Sequence, residues 1–256
     1  MYKPVVHKDG SLMIPRWCFE DTGIKYSKID AKSYYCDTDY DEYHNLRRIS
    51  YFACNWYKYL LSHNVLTIPS ILKESTVSEL QQDLGELMTK YPEYKFVRLC
   101  GSSPKDVSDT CIFSDPIEAV NALLSSERTL AIIKNYNHVH LFVRKVQDIK
   151  IECRCIIHER KLRAVSVYQY LALESREEYE TMIIDFMELY GPVLPYNSCI
   201  LELGLEDEEG FPFVIEFNSF GIDGFAGAGL FDWDDEKEIL YNSIIPEFRY
   251  PPEFSF

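Results

Sequence analysis

Three oxygen-bearing side chains, Glu202, Glu216 and Asn218, sit in two short apolar runs joined by an acidic turn. The stretch from Cys199 to Asn218 reads Cys-Ile-Leu-Glu-Leu-Gly-Leu, then Glu-Asp-Glu-Glu-Gly, then Phe-Pro-Phe-Val-Ile-Glu-Phe-Asn. Side chains alternate across a strand, so Cys199, Leu201, Leu203 and Leu205 share one face and Glu202 takes the other. In the second run Phe213, Ile215 and Phe217 share a face, opposite Glu216 and Asn218. If both apolar faces point the same way, the three oxygen donors converge, and such a set suits Mg²⁺, which takes carboxylates, waters and phosphate oxygens. The same alternation also describes the solvated outer face of a half-buried hairpin, so the pattern alone leaves both readings open.

The basic complement lies upstream. Arg98 precedes, and Lys105 lies within, a loop of small residues that reads Cys-Gly-Ser-Ser-Pro-Lys-Asp over 100–106. Backbone N–H groups around Gly101 and Ser103 can cradle a phosphate, with the two bases supplying charge. An ordinary basic loop has the same composition. Glu152 and Arg154 fall on one face of the next strong strand, and Ile151, Cys153, Cys155 and Ile157 on the other. The acid and the base form either a cross-strand ion pair or part of a polar pocket, while Cys153 and Cys155 read as small core residues rather than ligands.

These groups need elements to position them. Leu46, Ile49, Ala53, Trp56 and Leu60 predict a helix over about 42–62, with Trp56 in the core. Thr76-x-x-Glu79 reads as a capping box for a helix over 77–90. A strand follows over 94–99. Asp115-Pro116 opens a third helix, with Asp as N-cap and Pro in the first turn. Leu130 to Lys134 and Val139 to Val146 read as strands, as do 151–157 and, after a tight His-Glu-Arg turn, 161–170. Ser175-x-x-Glu178 reads as the cap of a helix ending at Gly191-Pro192, with Tyr179, Met182, Ile183, Phe186 and Met187 inward. Hairpins alternating with single helices predict an α+β fold with antiparallel sheets. Gly221, Gly224, Gly227 and Gly229 do not match a dinucleotide-binding fingerprint, which needs a strand before it and a helix after it.

Composition narrows the class. A chain of 256 residues with 46% hydrophobic content can bury a substantial core. A net charge of −15 argues against a nucleic-acid coat and suits a basic protein partner. The acidic run from Cys36 to Tyr43 reads as a solvated loop, with partner docking as the lesser option. None of the eight cysteines forms a Cys-x-x-Cys pair, the six histidines lack metal-like spacing, and no signal peptide or apolar membrane span is evident. The expectation is a cytoplasmic protein with reduced thiols and no membrane contact.

In order along the chain, these strands resemble the ATP-grasp fold, and within it the cell-division-cycle D123 family of ATP-binding chaperones that assemble translation initiation factor 2. The family segment Phe-Pro-Lys-Leu-Asn-Trp-Ser-Ala-Pro-Lys-Asp is similar to residues 96–106, Phe-Val-Arg-Leu-Cys-Gly-Ser-Ser-Pro-Lys-Asp. Its Leu-Arg-Lys-Trp resembles Val143 to Val146, and its Glu-Phe-Arg-Cys resembles Glu152 to Cys155. Its Lys-Leu, Ser and Tyr strand resembles Lys161, Leu162, Ser166 and Tyr170. Its Ile-Asp-Phe-Asn-Pro-Phe-Gly is similar to Ile215 to Gly221, and its Leu-Phe-x-Trp to Leu230 to Trp233. The matches spread over about residues 50–235. The chain departs from the pattern at Arg98, where the family has Lys; at Glu216, where it has Asp; at Val167-Tyr168-Gln169, where it has Gln-Arg-Asp; and at Ser219, where it has Pro.

The resemblance implies two antiparallel sheet and helix lobes clasping a nucleotide, with a helical N-terminal region: an N-terminal part over 1–90, a central lobe over 91–146 and a C-terminal lobe over 147–256. It implies ATP and Mg²⁺ as ligands. Arg98 and Lys105 would contact phosphates, Gly101 and Ser103 would shape the loop, and Arg144 and Lys145 would form the adenine hinge. Glu152 would accept a hydrogen bond from the sugar or base, Arg154 would offset phosphate charge, and Glu202, Glu216 and Asn218 would hold Mg²⁺. The implied partner is a protein resembling a translation initiation factor. The alternative is a ligase that forms an acyl phosphate and joins a carboxylate to an amine. Arg98 with Lys105, and the Asn-Ser-Phe stretch after Glu216, are similar to a ligase-like ATP-grasp clade of phages and bacteria.

Overall fold

The structure is a computed structural model and describes residues 5–6, 12–13, 53–134, 138–169, 171–206, 210–221 and 226–252. Strands β1 (Val5–Val6) and β2 (Leu12–Met13) pair antiparallel. Ile68–Gln147 and residues 53–55 belong to one compact unit, and Trp56–Thr67 with Asp148–Phe256 to a second. Helix α1 (Ala53–Ser62) is the described part of the helix expected from residue 42. Residues 42–52 and the acidic run 36–43 lie outside the described residues.

The first unit holds a three-stranded antiparallel sheet in the order β3 (Ser70–Thr76), β5 (His138–Lys145), β4 (Tyr94–Leu99). Its core joins Val97 and Leu99 of β4 and Val139, Leu141 and Val143 of β5 to Leu80 and Leu84 of α2 (Leu80–Lys90) and Ala119, Val120 and Leu123 of α3 (Pro116–Ser125). Asp115 caps α3 as its sequence predicts, its carboxylate accepting from Ile117 N–H at 2.8 Å. Two local readings are corrected. Residues 130–134 are not a strand, because α4 (Glu127–Ile133) runs through 130–133 with Lys134 as its C-cap, and Ser126 caps its start, accepting from Thr129 N–H. Short apolar runs such as Leu-Ala-Ile-Ile have no periodicity that separates a strand from a buried helix. The α2 capping box is absent: Thr76 Oγ1 bonds the Glu79 carboxylate at 2.6 Å instead of the backbone, and the helix starts at Leu80.

The second unit holds a five-stranded sheet in the order β10 (Glu247–Arg249), β7 (Lys161–Val167), β6 (Ile151–His158), β8 (Cys199–Leu205), β9 (Phe213–Asn218). All neighbours are antiparallel except β10, which joins β7 in parallel, so this sheet is mixed rather than antiparallel throughout. The β6–β7 turn places Glu159 and Arg160 at φ of 52° and 60°, the left-handed pair that a two-residue hairpin demands. Helix α5 (Leu173–Tyr190) starts two residues before Ser175, with Ala172 at its N-cap and no side-chain cap, so the second expected capping box is also absent. Tyr179, Ile183, Phe186 and Met187 of α5 are buried, as are Cys153, Cys155, Ile157, Leu201, Leu203 and Leu205. The opposite sheet face packs Ile156, Ala164 and Ile200 beneath Phe220, Ala228, Phe231, Trp233 and Leu240. Trp56 is core as expected, edge-on to Phe217 at 5.4 Å.

Cys153 and Cys155 lie fully buried with their sulfurs 3.8 Å apart. The Cys155 thiol and then burial push the Cys153 thiol well above its ordinary range, away from the reactive thiolate. Native protein treated with a thiol reagent is therefore expected to leave both unlabelled under conditions that label the unfolded chain fully. Peptide mass spectrometry checks this, and rapid native labelling would refute the strand-face assignment.

Candidate functional site

One row of residues crosses the five-stranded sheet. Arg249 pairs with Ser166, Ser166 with Arg154, Arg154 with Glu202, and Glu202 with Glu216. Cross-strand partners share a face, so β10, β7, β6, β8 and β9 each place a polar side chain on the same side. Asn218 joins them two positions along β9, and its amide donates to Glu216 Oε1 at 3.2 Å. The hairpin therefore brings Glu202, Glu216 and Asn218 to one face.

A bulge follows directly after the Glu202–Glu216 pair. Glu202 pairs with Glu216, but Leu203 pairs with Val214, leaving Ile215 as the extra residue. The strict alternation expected for β9 is corrected accordingly. Val214, not Phe213, enters the core with Leu203, and Phe213 crosses to the Gly204 side. A Cβ on Gly204 would lie 2.9 Å from the Phe213 ring, so glycine supplies the space that the displaced ring fills.

Glu202 is not on a solvated face, being only 2% exposed. Its Oε1 accepts from Arg154 Nε at 2.7 Å and from Nη2 at 2.6 Å, while its buried Oε2 has no hydrogen-bond partner among the described residues. Burial pushes its pKa up to about 7, with Glu216 and Glu152 adding to the effect and Arg154 opposing it. Burial, and then the nearby Glu202 carboxylate, raise the Tyr168 phenol pKa. Burial also works against the Arg154 charge, but Glu202 outweighs it and holds the guanidinium above its ordinary pKa. Arg154 Nη1 donates to Gly227 O at 2.6 Å, and the guanidinium lies 5.7 Å from the Tyr168 ring centre. Glu152 N–H donates to Gln169 Oε1, and Glu152 O accepts from Tyr168 N–H.

The donor set fits a hard divalent cation. Two carboxylates and an amide share a face, and one buried carboxylate oxygen has no donor among the described residues. Among the described residues, no cluster of three or more His, Cys, Asp and Glu side chains forms a metal-type group; this set reaches three only through Asn218.

The basic residues of the first unit sit as follows. Arg98 is half-buried on β4, and its Nε donates to Leu99 O at 3.2 Å. In the following loop Gly101 is half-buried, Ser103 buried and Lys105 exposed. Asp106 fastens the loop to α4, accepting from Ser126 Oγ and from Glu127 N–H. Arg144, near the end of β5, is buried; its Nε donates to Ser70 Oγ at 3.1 Å, and the guanidinium lies 5.0 Å from the Phe142 ring centre. Lys145 is exposed.

Sequence reasoning did not single out Arg249 or the backbone of 227–230. Arg249 grips Glu236 through Nη1 and Nη2 at 2.9 and 2.6 Å and donates to Leu230 O at 3.0 Å. Ser166 Oγ accepts from Leu230 N–H at 2.8 Å and donates to Ala228 O at 3.2 Å. Gly229 sits at φ +72°, and a Cβ there would collide with Ser166 Oγ. Nothing local announces these contacts except the glycine-rich composition of 221–229.

The fold is α+β, with a three-stranded antiparallel sheet and a five-stranded mixed sheet. The chain resembles the cell-division-cycle D123 family: it is 26% identical over 274 aligned positions to a protein of Acanthamoeba polyphaga mimivirus named CDC123-like, covering 90% of this chain and 84% of that one. Cdc123 from Schizosaccharomyces pombe superposes with a TM-score of 0.65 at 17% identity, covering 80% of this chain and 97% of that chain. Its C-terminally truncated form gives 0.64 at 16% identity over the same shares. No family model matches the sequence. Among the described residues, no helix is long and apolar enough to cross a membrane.

Proposed function

We propose that this protein binds ATP with Mg²⁺ and uses the bound nucleotide to engage a protein partner, as an assembly chaperone of the translation initiation factor 2 type does. The observation that carries the reading is the likeness to Cdc123 across nearly the whole of that chain, joined to the buried Glu202 carboxylate, one oxygen of which has no hydrogen-bond partner among the described residues. Glu202, Glu216 and Asn218 would hold the cation, which supplies charge neutralisation for phosphate oxygens. Arg98 and Lys105 would meet the phosphates, and the strand end at Arg144 and Lys145 would border the base. The −15 charge favours a basic partner surface and makes the encounter salt-sensitive. ATP assists partner binding only if it binds the partner-competent arrangement better than the alternative.

Calorimetric titration with ATP, with and without Mg²⁺, followed by capture of purified initiation factor 2 at low and high salt, tests the reading. Retention that needs ATP and weakens with salt supports it. Stoichiometric ADP release on adding amino acids or peptides, with no factor retained, would favour a carboxylate–amine ligase instead. Arg98→Ala and Lys105→Ala are each expected to weaken ATP more than AMP. A charge-assisted contact is worth roughly 1.5–3 kcal/mol. Equal losses for both nucleotides, measured by the same titration, would place these residues away from the outer phosphates.

A further inference from the structure

We infer that Arg154 is a positioning residue that couples the Glu202 carboxylate to the segment 226–231, and that it is not a phosphate ligand. The inference refines the Mg²⁺ and nucleotide reading given above, but its test does not depend on nucleotide. Each of the three guanidinium nitrogens is already engaged: Nε and Nη2 on Glu202 Oε1, and Nη1 on Gly227 O. The side chain is only 19% exposed, and Arg is the residue whose planar fork holds two acceptors in fixed relation.

The segment beyond Gly227 is itself built onto the sheet. Ala228 and Leu230 bond both functions of the fully buried Ser166 hydroxyl, Leu230 O accepts from Arg249, and Trp233 Nε1 donates to Ala226 O at 3.0 Å. Gly229 lets the backbone lie against Ser166 where a side chain would collide. Arg154 thus touches both this strap and Glu202. Both of its contacts to Glu202 fall on one oxygen, so the fork fixes Oε1 and leaves Oε2 outside it. Displacing the strap pulls Nη1; rotating Glu202 pulls Nε and Nη2.

The test is amide hydrogen exchange on the ligand-free full chain, comparing wild type, Glu202→Gln, Arg154→Lys and the double variant. Glu202→Gln lies away from the strap, yet it is expected to speed exchange across 226–231 by about tenfold, the scale of coupling between residues in one hydrogen-bond network. Arg154→Lys keeps the charge but replaces the three nitrogens of the planar fork by one, so it is expected to loosen the strap to a similar degree. The double variant should add little to either. Exchange in α5, which belongs to the same unit as the strap, normalises for any general loss of that unit's stability. The inference is overturned if Glu202→Gln leaves the strap as in wild type, or if the two effects simply add. It is overturned equally if Arg154→Lys leaves the strap unchanged, the behaviour of a residue needed only for its charge toward phosphate. Failure of the nucleotide reading would appear separately, as absence of ATP binding to the wild-type protein.

Discussion

Arg154→Met is expected to cost about 3 kcal/mol or more of folding stability near neutral pH. Removing one partner of a buried ion pair strands the other charge, and such losses run to roughly 3–5 kcal/mol. Glu202 is the group stranded, because it is 2% exposed and its second oxygen has no donor among the described residues. The pH dependence gives the prediction a sign. The Glu202 carboxyl has a folded pKa of about 7 against an ordinary 4.5, so between these values the folded state binds more protons than the unfolded. This contribution to stability is therefore full below about pH 4.5, falls as pH rises, and is gone above about pH 7. A raised pKa of this size corresponds to about 3 kcal/mol across the window. Without Arg154, the influence that lowers the Glu202 pKa disappears, and protonation becomes the remaining way to neutralise it. The deficit of Arg154→Met relative to wild type should thus be smaller at pH 5 than at pH 8. Urea unfolding at the two pH values measures it. A deficit equal at both would mean that Glu202 has another neutralising partner.

Glu216→Ala is expected to remove most of the Mg²⁺-dependent gain in ATP affinity while leaving the fold intact. Glu216 faces Glu202 across the β8–β9 ladder and accepts from Asn218, yet it is only half-buried, so its loss opens no large core cavity. A lost charged contact of roughly 1.5–3 kcal/mol converts to about a 10- to 150-fold weakening. Titrations of ATP with Mg²⁺ and with a chelator, on protein shown to be folded by its thermal transition, decide the matter. An unchanged affinity for Mg–ATP would end the assignment of this residue to a cation.

Much of the second unit is legible in residue order. The Cys199–Asn218 hairpin, the two-faced strand with Cys153 and Cys155 inward, and the inward set of α5 all follow from periods of two and 3.6. Asp115-Pro116 announces α3 because cap and first turn are purely local chemistry. What escapes depends on distant partners or on weak contrast. Strand β3 (Ser-Ile-Leu-Lys-Glu-Ser-Thr) is an edge strand whose residues are mostly half-buried, so no alternation marks it. Strand β10 is three residues long and gains its identity from parallel pairing with β7, about eighty positions upstream. Thr76 and Ser175 have capping-box spacing, but Thr76 bonds the Glu79 side chain and α5 starts ahead of Ser175. For the site, the oxygen donors can be read from alternation. The partner of Arg154 cannot, because register across β6 and β8 is a property of the sheet and not of either strand alone.

The extra residue at Ile215 divides six consecutive positions of β9 into two populations with different histories ahead of them. Phe213 and Val214 answer to shape: one fills the hollow above Gly204 and the other the space beside Leu203. Glu216 and Asn218 answer to charge and oxygen chemistry. A library randomised over this strand would therefore drift under two uncorrelated selections, with volume conserved before the bulge and ligand chemistry after it. Deleting Ile215 alone would restore an unbroken ladder that keeps Val214 opposite Leu203 and Glu216 opposite Glu202, so the two rules meet at a residue that neither of them needs for pairing.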